Sequence, residues 1–235
     1  ELWDPENGSL IRTIQVDIYL ISCVVALPGR RIVLCGSGEH DFEDCMISVY
    51  NLQDGSRLRH LEGHGEGGIN GLAVLGDGRV ASASDDETCK VWDADSGRCI
   101  RTLRGHTELI FCVAALPDSS PRLVTASDDK SLKIWAVDDG SCLRTFSGGH
   151  TGPIRCLTFL PGLIVSGGED CALAVWDVAT GGCLQSQQVL GPGPAPGRQD
   201  FYGRHVYAVA PLSDGRLAIG TAGLSHTLRL YRPVA

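Results

Sequence analysis

Serine or threonine, histidine and aspartate recur together three times in this 235-residue chain, as His64, Ser82 and Asp86, then His106, Thr125 and Asp129, then His150, Ser166 and Asp170. Residues of these types can carry out acyl transfer, the imidazole taking the hydroxyl proton while the carboxylate holds the imidazole in one tautomer. A nucleophile is normally unique, whereas this set occurs three times, and no Gly-x-Ser-x-Gly elbow stands anywhere in the chain. A repeated structural arrangement therefore outweighs a hydrolase. The ten cysteines include no Cys-x-x-Cys pair, and no metal or cofactor is expected.

The elements that must position these side chains form a repeat. Trp3-Asp4, Tyr50-Asn51, Trp92-Asp93, Trp135-Ala136, Trp176-Asp177 and Tyr231-Arg232 end similar apolar runs, spaced 47, 42, 43, 41 and 55 residues apart. Gly63-His64, Gly105-His106 and Gly149-His150 precede the tryptophan of their own repeat by 28, 29 and 26 residues. Each period holds four short β-rich runs divided by turn chemistry. In the clearest unit these cover 69–75, 79–84, 88–92 and 99–103, with Asp77-Gly78 and Ser96-Gly97 supplying two of the turns. The first two runs are rich in Val, Ile, Leu and small residues, as strands packed between neighbouring units require. The fourth runs are polar and suit an outer edge.

A hydrophobic content of 43% is ample for a core, and the net charge of −8 disfavours phosphate contacts, so nucleic-acid binding is not expected. The longest apolar run, 18–27, is half of what a bilayer-spanning helix needs, and no membrane insertion is expected. The chain begins Glu1-Leu2-Trp3-Asp4, with neither an initiator Met nor a basic region before an apolar stretch, and reads as a portion of a longer protein. Cys99, Cys142 and Cys183 follow turns, while Cys23, Cys112 and Cys156 begin apolar runs. That regularity reads as small hydrophobic packing in a reducing compartment, and implies an intracellular protein, cytoplasmic or nuclear.

A period in the low forties with Gly-His and Trp-Asp in phase resembles the WD-repeat family over nearly the whole chain. The resemblance implies an all-β propeller of about five four-stranded blades here: a blade end at 1–14 and blades near 18–61, 66–104, 108–147, 152–189 and 205–231. A Gly/Pro-rich insertion at 191–200 separates the last two. Counted by strands, the chain offers two, then sixteen, then three. The run 9–14 could close the blade ending at Tyr231, although further upstream blades, completing seven, are the preferred reading. The family also implies a hydrogen-bonded tetrad in each regular blade. Here Asp lies six residues before Trp and the hydroxyl four before Asp, which adds Trp92, Trp135 and Trp176 to the three sets above. In the first full blade Asp17 stands at the histidine place, Cys35 at the hydroxyl, Asp44 at the aspartate and Tyr50 at the tryptophan, and the turn through 38–43 is too long. In the last blade Asp200, Ser225 and Tyr231 replace the set. Both end blades are expected to rely on packing and to open first.

The resemblance further implies a non-catalytic scaffold or adaptor that binds a partner on the face where strand 1 of each blade begins. Carried over by spacing from each histidine and aspartate, its contact positions are Gly67, Ile69 and Asp85; Leu109, Phe111 and Asp128; and Pro153, Arg155 and Glu169. Leu20, Ser22, Gly203 and His205 follow from the irregular blades. Asp85, Asp128 and Glu169 would form an acidic arc beside Ile69, Leu109 and Phe111. A basic segment with one hydrophobic anchor would suit them. Substrate recognition for a ubiquitin ligase is the alternative, although no Trp-Asp-x-Arg box follows any third strand.

Overall fold

A computed structural model describes residues 1–37, 45–65, 67–118, 120–189, 205–214, 216–222 and 227–231. All regular structure among them is β. A hairpin of β1 (Leu2–Trp3) and β2 (Leu10–Arg12) comes first. Four antiparallel four-stranded blades follow. The first has β3 (Leu20–Leu27), β4 (Arg31–Ser37), β5 (Cys45–Asn51) and β6 (Arg57–His60), and the second β7 (Ile69–Val74), β8 (Val80–Ser84), β9 (Cys89–Trp92) and β10 (Cys99–Leu103). The third has β11 (Ile110–Ala115), β12 (Arg122–Ser127), β13 (Leu132–Ala136) and β14 (Cys142–Phe146), and the fourth β15 (Ile154–Leu160), β16 (Leu163–Gly168), β17 (Ala172–Asp177) and β18 (Cys183–Gln188). A last sheet holds β19 (His205–Pro211), β20 (Leu217–Ala222) and β21 (Thr227–Tyr231). The order is that of a β-propeller, with strand 1 of each blade beside strand 1 of the next.

Burial explains why the repeat is cooperative. The four larger core clusters each draw on two consecutive blades: Val33, Cys35 and Val49 of the first meet Ile69, Leu72 and Trp92 of the second. Ala81, Cys89 and Val91 then meet Ile110, Val113 and Trp135, and Val124, Ala126 and Ile134 meet Ile154, Leu157 and Trp176. A blade cannot bury its own faces, so each is stabilised by its neighbours. The inner strands carry a bulge at one equivalent place, after Ile21, Ile69, Ile110, Ile154 and Val206. Ile69 is 3% exposed, while Ile110, Ile154 and Val206 are wholly buried. Ile21 is 47% exposed; among the described strands, β3 makes its main contacts with β4 of its own blade and β7 of the next.

Three expectations change. The run 9–14 forms β2, which pairs with β1 and not with β21. Cys35 does not occupy the hydroxyl place. In register, Leu34 corresponds to Ser82, Thr125 and Ser166, because each lies opposite the residue two past the bulge, whereas Cys35 corresponds to Ala83, Ala126 and Gly167. Cys99, Cys142 and Cys183 are exposed rather than packed, since they open outer strands with one face in solvent. The turn 38–43, Asp44, the insertion 191–200, Gly203 and Ser225 lie outside the described residues, as does the side chain of Tyr231.

Candidate functional site

The three repeated sets are tetrads. The His64 Nδ1–H donates to Asp86 Oδ2 at 2.8 Å, since a carboxylate only accepts. In a neutral imidazole that leaves Nε2 to accept from the Ser82 hydroxyl at 2.6 Å, and the Trp92 indole N–H donates to Ser82 Oγ at 2.8 Å. In the third blade the matching distances are 2.6 Å from His106 to Asp129, 2.7 Å from Thr125 to His106 and 2.8 Å from Trp135 to Thr125. In the fourth, His150 lies 3.0 Å from Asp170, and Ser166 lies 2.8 Å from both His150 and Trp176. Ser82, Thr125 and Ser166 are all wholly buried. Each hydroxyl has spent its proton on histidine and a lone pair on indole, in a place no substrate reaches.

Each aspartate also ties two turns together. One oxygen of Asp86 accepts from the Gly65 N–H at 2.9 Å and the other from the Thr88 N–H at 2.9 Å. Asp129 and Asp170 do the same with Thr107 and Ser131, and with Thr151 and Ala172. The residue between, Glu87, Lys130 or Cys171, is left-handed at φ 63°, 67° or 64°, which bends the chain back onto the carboxylate. Burial pushes these carboxyls up, but the hydrogen bonds from histidine and the turn outweigh it. All three ionise below the ordinary range, Asp170 at about 2. The glycine before each histidine has one of two causes: Gly63 and Gly105 have φ of 138° and 143°, which an L side chain rarely adopts, whereas a Cβ on Gly149 would meet the Trp176 indole at 2.4 Å.

The first blade holds its corner differently. Leu34 packs with Ile18 and Tyr50 where the tetrad would lie. The Tyr50 hydroxyl donates to Asp17, which also pairs with Arg57. The blade therefore keeps a polar tie as well as packing, which the sequence did not reveal. Nor did it reveal a clasp between blades: Arg59 donates to the Asp95 carbonyl at 2.7 Å, Arg101 to that of Asp138 at 2.7 Å and Arg144 to that of Thr180 at 2.5 Å. The signal was arginine recurring at the repeat period on the polar fourth strands. His60 and His64 have a His-x-x-x-His spacing, yet they bond separately, His60 to Ser48 and His64 within its tetrad.

The contact positions do lie together where the first strands begin, with one displacement. In the second blade the loop after His64 is one residue longer. Gly68 and Asn70, not Gly67 and Ile69, therefore stand level with Leu109 and Phe111 and with Pro153 and Arg155. The backbone bonds show it: the N–H groups of Asp85, Asp128 and Glu169 donate to the carbonyls of Gly68, Leu109 and Pro153. Ile69 is buried and leaves the predicted face. Leu20 and Ser22 are exposed there, but the bulge residue of the last sheet is Tyr207, two residues past His205.

The three acidic groups differ. Asp85 accepts from the Gly68 N–H at 2.9 Å and from Asn70 at 2.6 Å. Glu169 pairs with Arg155, whose guanidinium carbon sits 3.6 Å from the Phe111 ring centre. Asp128 has a carboxylate with no hydrogen bond to another described side chain. The acidic arc is therefore partly neutralised, and Phe111 is half-buried beneath Arg155.

The family described as "WD domain, G-beta repeat" matches residues 55–93, 97–136 and 140–177. Among curated relatives, "Nuclear distribution protein PAC1" of Arthroderma benhamiae is 34% identical over 127 residues, covering 50% of this chain and 27% of the relative. The protein of that name from Trichophyton verrucosum gives the same values, 34% over 127 residues, 50% and 27%. The chain thus spans about a quarter of these relatives' length. The solved WD40 β-propeller domain of Doa1 superposes with a TM-score of 0.67 at 24% identity, covering 87% of this chain and 61% of that one. That likeness concerns the fold.

Proposed function

Because this chain belongs to the WD-repeat family, we propose that it is a non-catalytic scaffold whose third blade receives a partner segment carrying a basic side chain and an apolar anchor. The observation that carries this reading is the contrast among the blades. In the second and fourth, the bulge residue bonds the acid of its own blade, Asn70 to Asp85 and Arg155 to Glu169. In the third, Phe111 cannot, and Asp128 has no hydrogen-bonded partner among the described side chains. A basic group on the segment would meet Asp128, and an apolar one would pack on Phe111, Leu109 and Pro153. The net charge of −8 would steer such a segment inward. The consumed, buried hydroxyls of the tetrads argue in the same direction, since they leave no accessible nucleophile there.

The test is affinity purification from cell extract with the wild type and a Phe111→Ala/Asp128→Lys variant, compared by quantitative mass spectrometry and checked for equal thermal stability. Loss of a defined set of proteins is expected. An unchanged set would refute this face as the binding surface.

A further inference from the structure

The inner strands and their neighbours make a slot facing the next blade, filled at each blade by two residues opposite one another. The pairs are Cys23 with Cys35, Gly71 with Ala83, Cys112 with Ala126 and Cys156 with Gly167. All are small because the next blade passes close. Cys35 Sγ lies 3.9 Å from the Ile69 carbonyl, and Cys156 Sγ lies 3.6 Å from the equivalent Val206 carbonyl. Only in the first blade are both residues thiols.

We propose that Cys23 and Cys35 form a reversible dithiol/disulfide site that reacts with small-molecule disulfides and, when oxidised, joins β3 to β4 in the blade that lacks a tetrad. Directly opposed residues of antiparallel strands have Cα atoms roughly 4.5–5.5 Å apart, within the range of about 4.4–6.8 Å that a disulfide spans. The two residues stand directly opposite one another across β3 and β4, and the Ser22 hydroxyl lies 3.3 Å from Cys35 Sγ. Their roles differ. Cys23 is half-buried, and its neighbour Cys35 favours its thiolate and lowers its pKa. Cys35 is buried, its pKa raised by its neighbour Cys23 and by burial. Cys23 is thus the attacking sulfur and Cys35 the resolving one.

The Cys23 thiolate attacks one sulfur of the small disulfide, forming a mixed disulfide and expelling one thiolate, which takes up a proton. Cys35 then gives up its proton and attacks Cys23 Sγ, releasing the second small thiol. Two S–H bonds are lost, one S–S bond forms within the blade, and the reagent is reduced to two thiols. Ser22, which donates to the Ile69 carbonyl at 2.7 Å, stays in place to occupy the acceptor that Cys35 leaves.

The full chain would be treated with oxidised glutathione at neutral pH, alkylated, digested and analysed by mass spectrometry without reduction. A peptide pair linked through Cys23 and Cys35, lighter by two hydrogens and separated by dithiothreitol, is expected. Cys112 and Cys156, whose cross-strand partners are Ala126 and Gly167, should form no such link. Cys35→Ala places in the slot the residue found at positions 83 and 126, and should trap glutathione on Cys23. Failure of Cys23 to react, a Cys23 adduct that persists while wild-type Cys35 remains alkylatable, or a link from Cys23 to any other cysteine would overturn the proposal.

Discussion

Replacing Thr125 by valine removes one buried oxygen and little else, so it isolates the polar part of a tetrad. Thr125 Oγ1 accepts from Trp135 at 2.8 Å and bonds His106 at 2.7 Å, in surroundings wholly closed to solvent. In the variant the indole N–H and the imidazole Nε2 both remain buried with nothing to meet. An orphaned buried group costs about 1–3 kcal/mol, so the two together cost roughly 2–6 kcal/mol. That is a large share of the ~5–15 kcal/mol by which a domain is stable. The assay is urea-induced unfolding followed by tryptophan fluorescence, with the slope checked for constancy so that the midpoint reports stability. In a chain of this size the melting temperature should fall by about 2–4 °C for each kcal/mol lost. Thr145→Val is the control, since its hydroxyl is exposed and meets Lys133 and the exposed Cys142 thiol; a change within about 0.5 kcal/mol is expected there. If Thr125→Val cost no more than that control, the tetrads would not be structural and the Ser-His-Asp sets would need another explanation.

Acid should dissolve the tetrads in a defined window. Their carboxyls ionise below the unfolded value of about 3.9, so their stabilisation is whole above that pH and is lost as pH falls through the folded values. For Asp170 that folded value is about 2. Unfolding midpoints measured from pH 5 downward should therefore drop steeply below pH 4, and Asp129→Asn should flatten the curve. Lys130→Gly should stabilise by about 0.5–1 kcal/mol, because glycine relieves a left-handed residue whose side chain is exposed; a loss of stability would contradict it. Asp17→Ala should speed hydrogen exchange in β3–β6 before β7–β18, with a cost of about 1–2 kcal/mol confined to the first blade. Equal exchange across all four blades would show that the Asp17, Tyr50 and Arg57 contacts bear no load.

The sequence by itself determined the repeat, the four strands of each blade and the three tetrads. These depend on short-range order: period-two burial, glycine turns, and polar residues at fixed offsets that must pair once buried. Even Gly-His was legible as a unit, although only the indole against Gly149 shows why that glycine is needed. Counting along the chain failed wherever a loop changed length. One extra residue after His64 moved Asn70 into the place expected for Ile69, and the long turn before Tyr50 concealed that Leu34, not Cys35, stands at the hydroxyl position. Tertiary structure alone decided those registers, because side-chain direction in a strand reverses with every residue. It also decided every contact between blades: Arg155 over Phe111, the Arg101 clasp on Asp138, and Cys35 against the Ile69 carbonyl. Such partners lie some 34–44 residues apart, and nothing local in either segment encodes the other. What brings them together is that each blade has two apolar faces and only its neighbours to cover them.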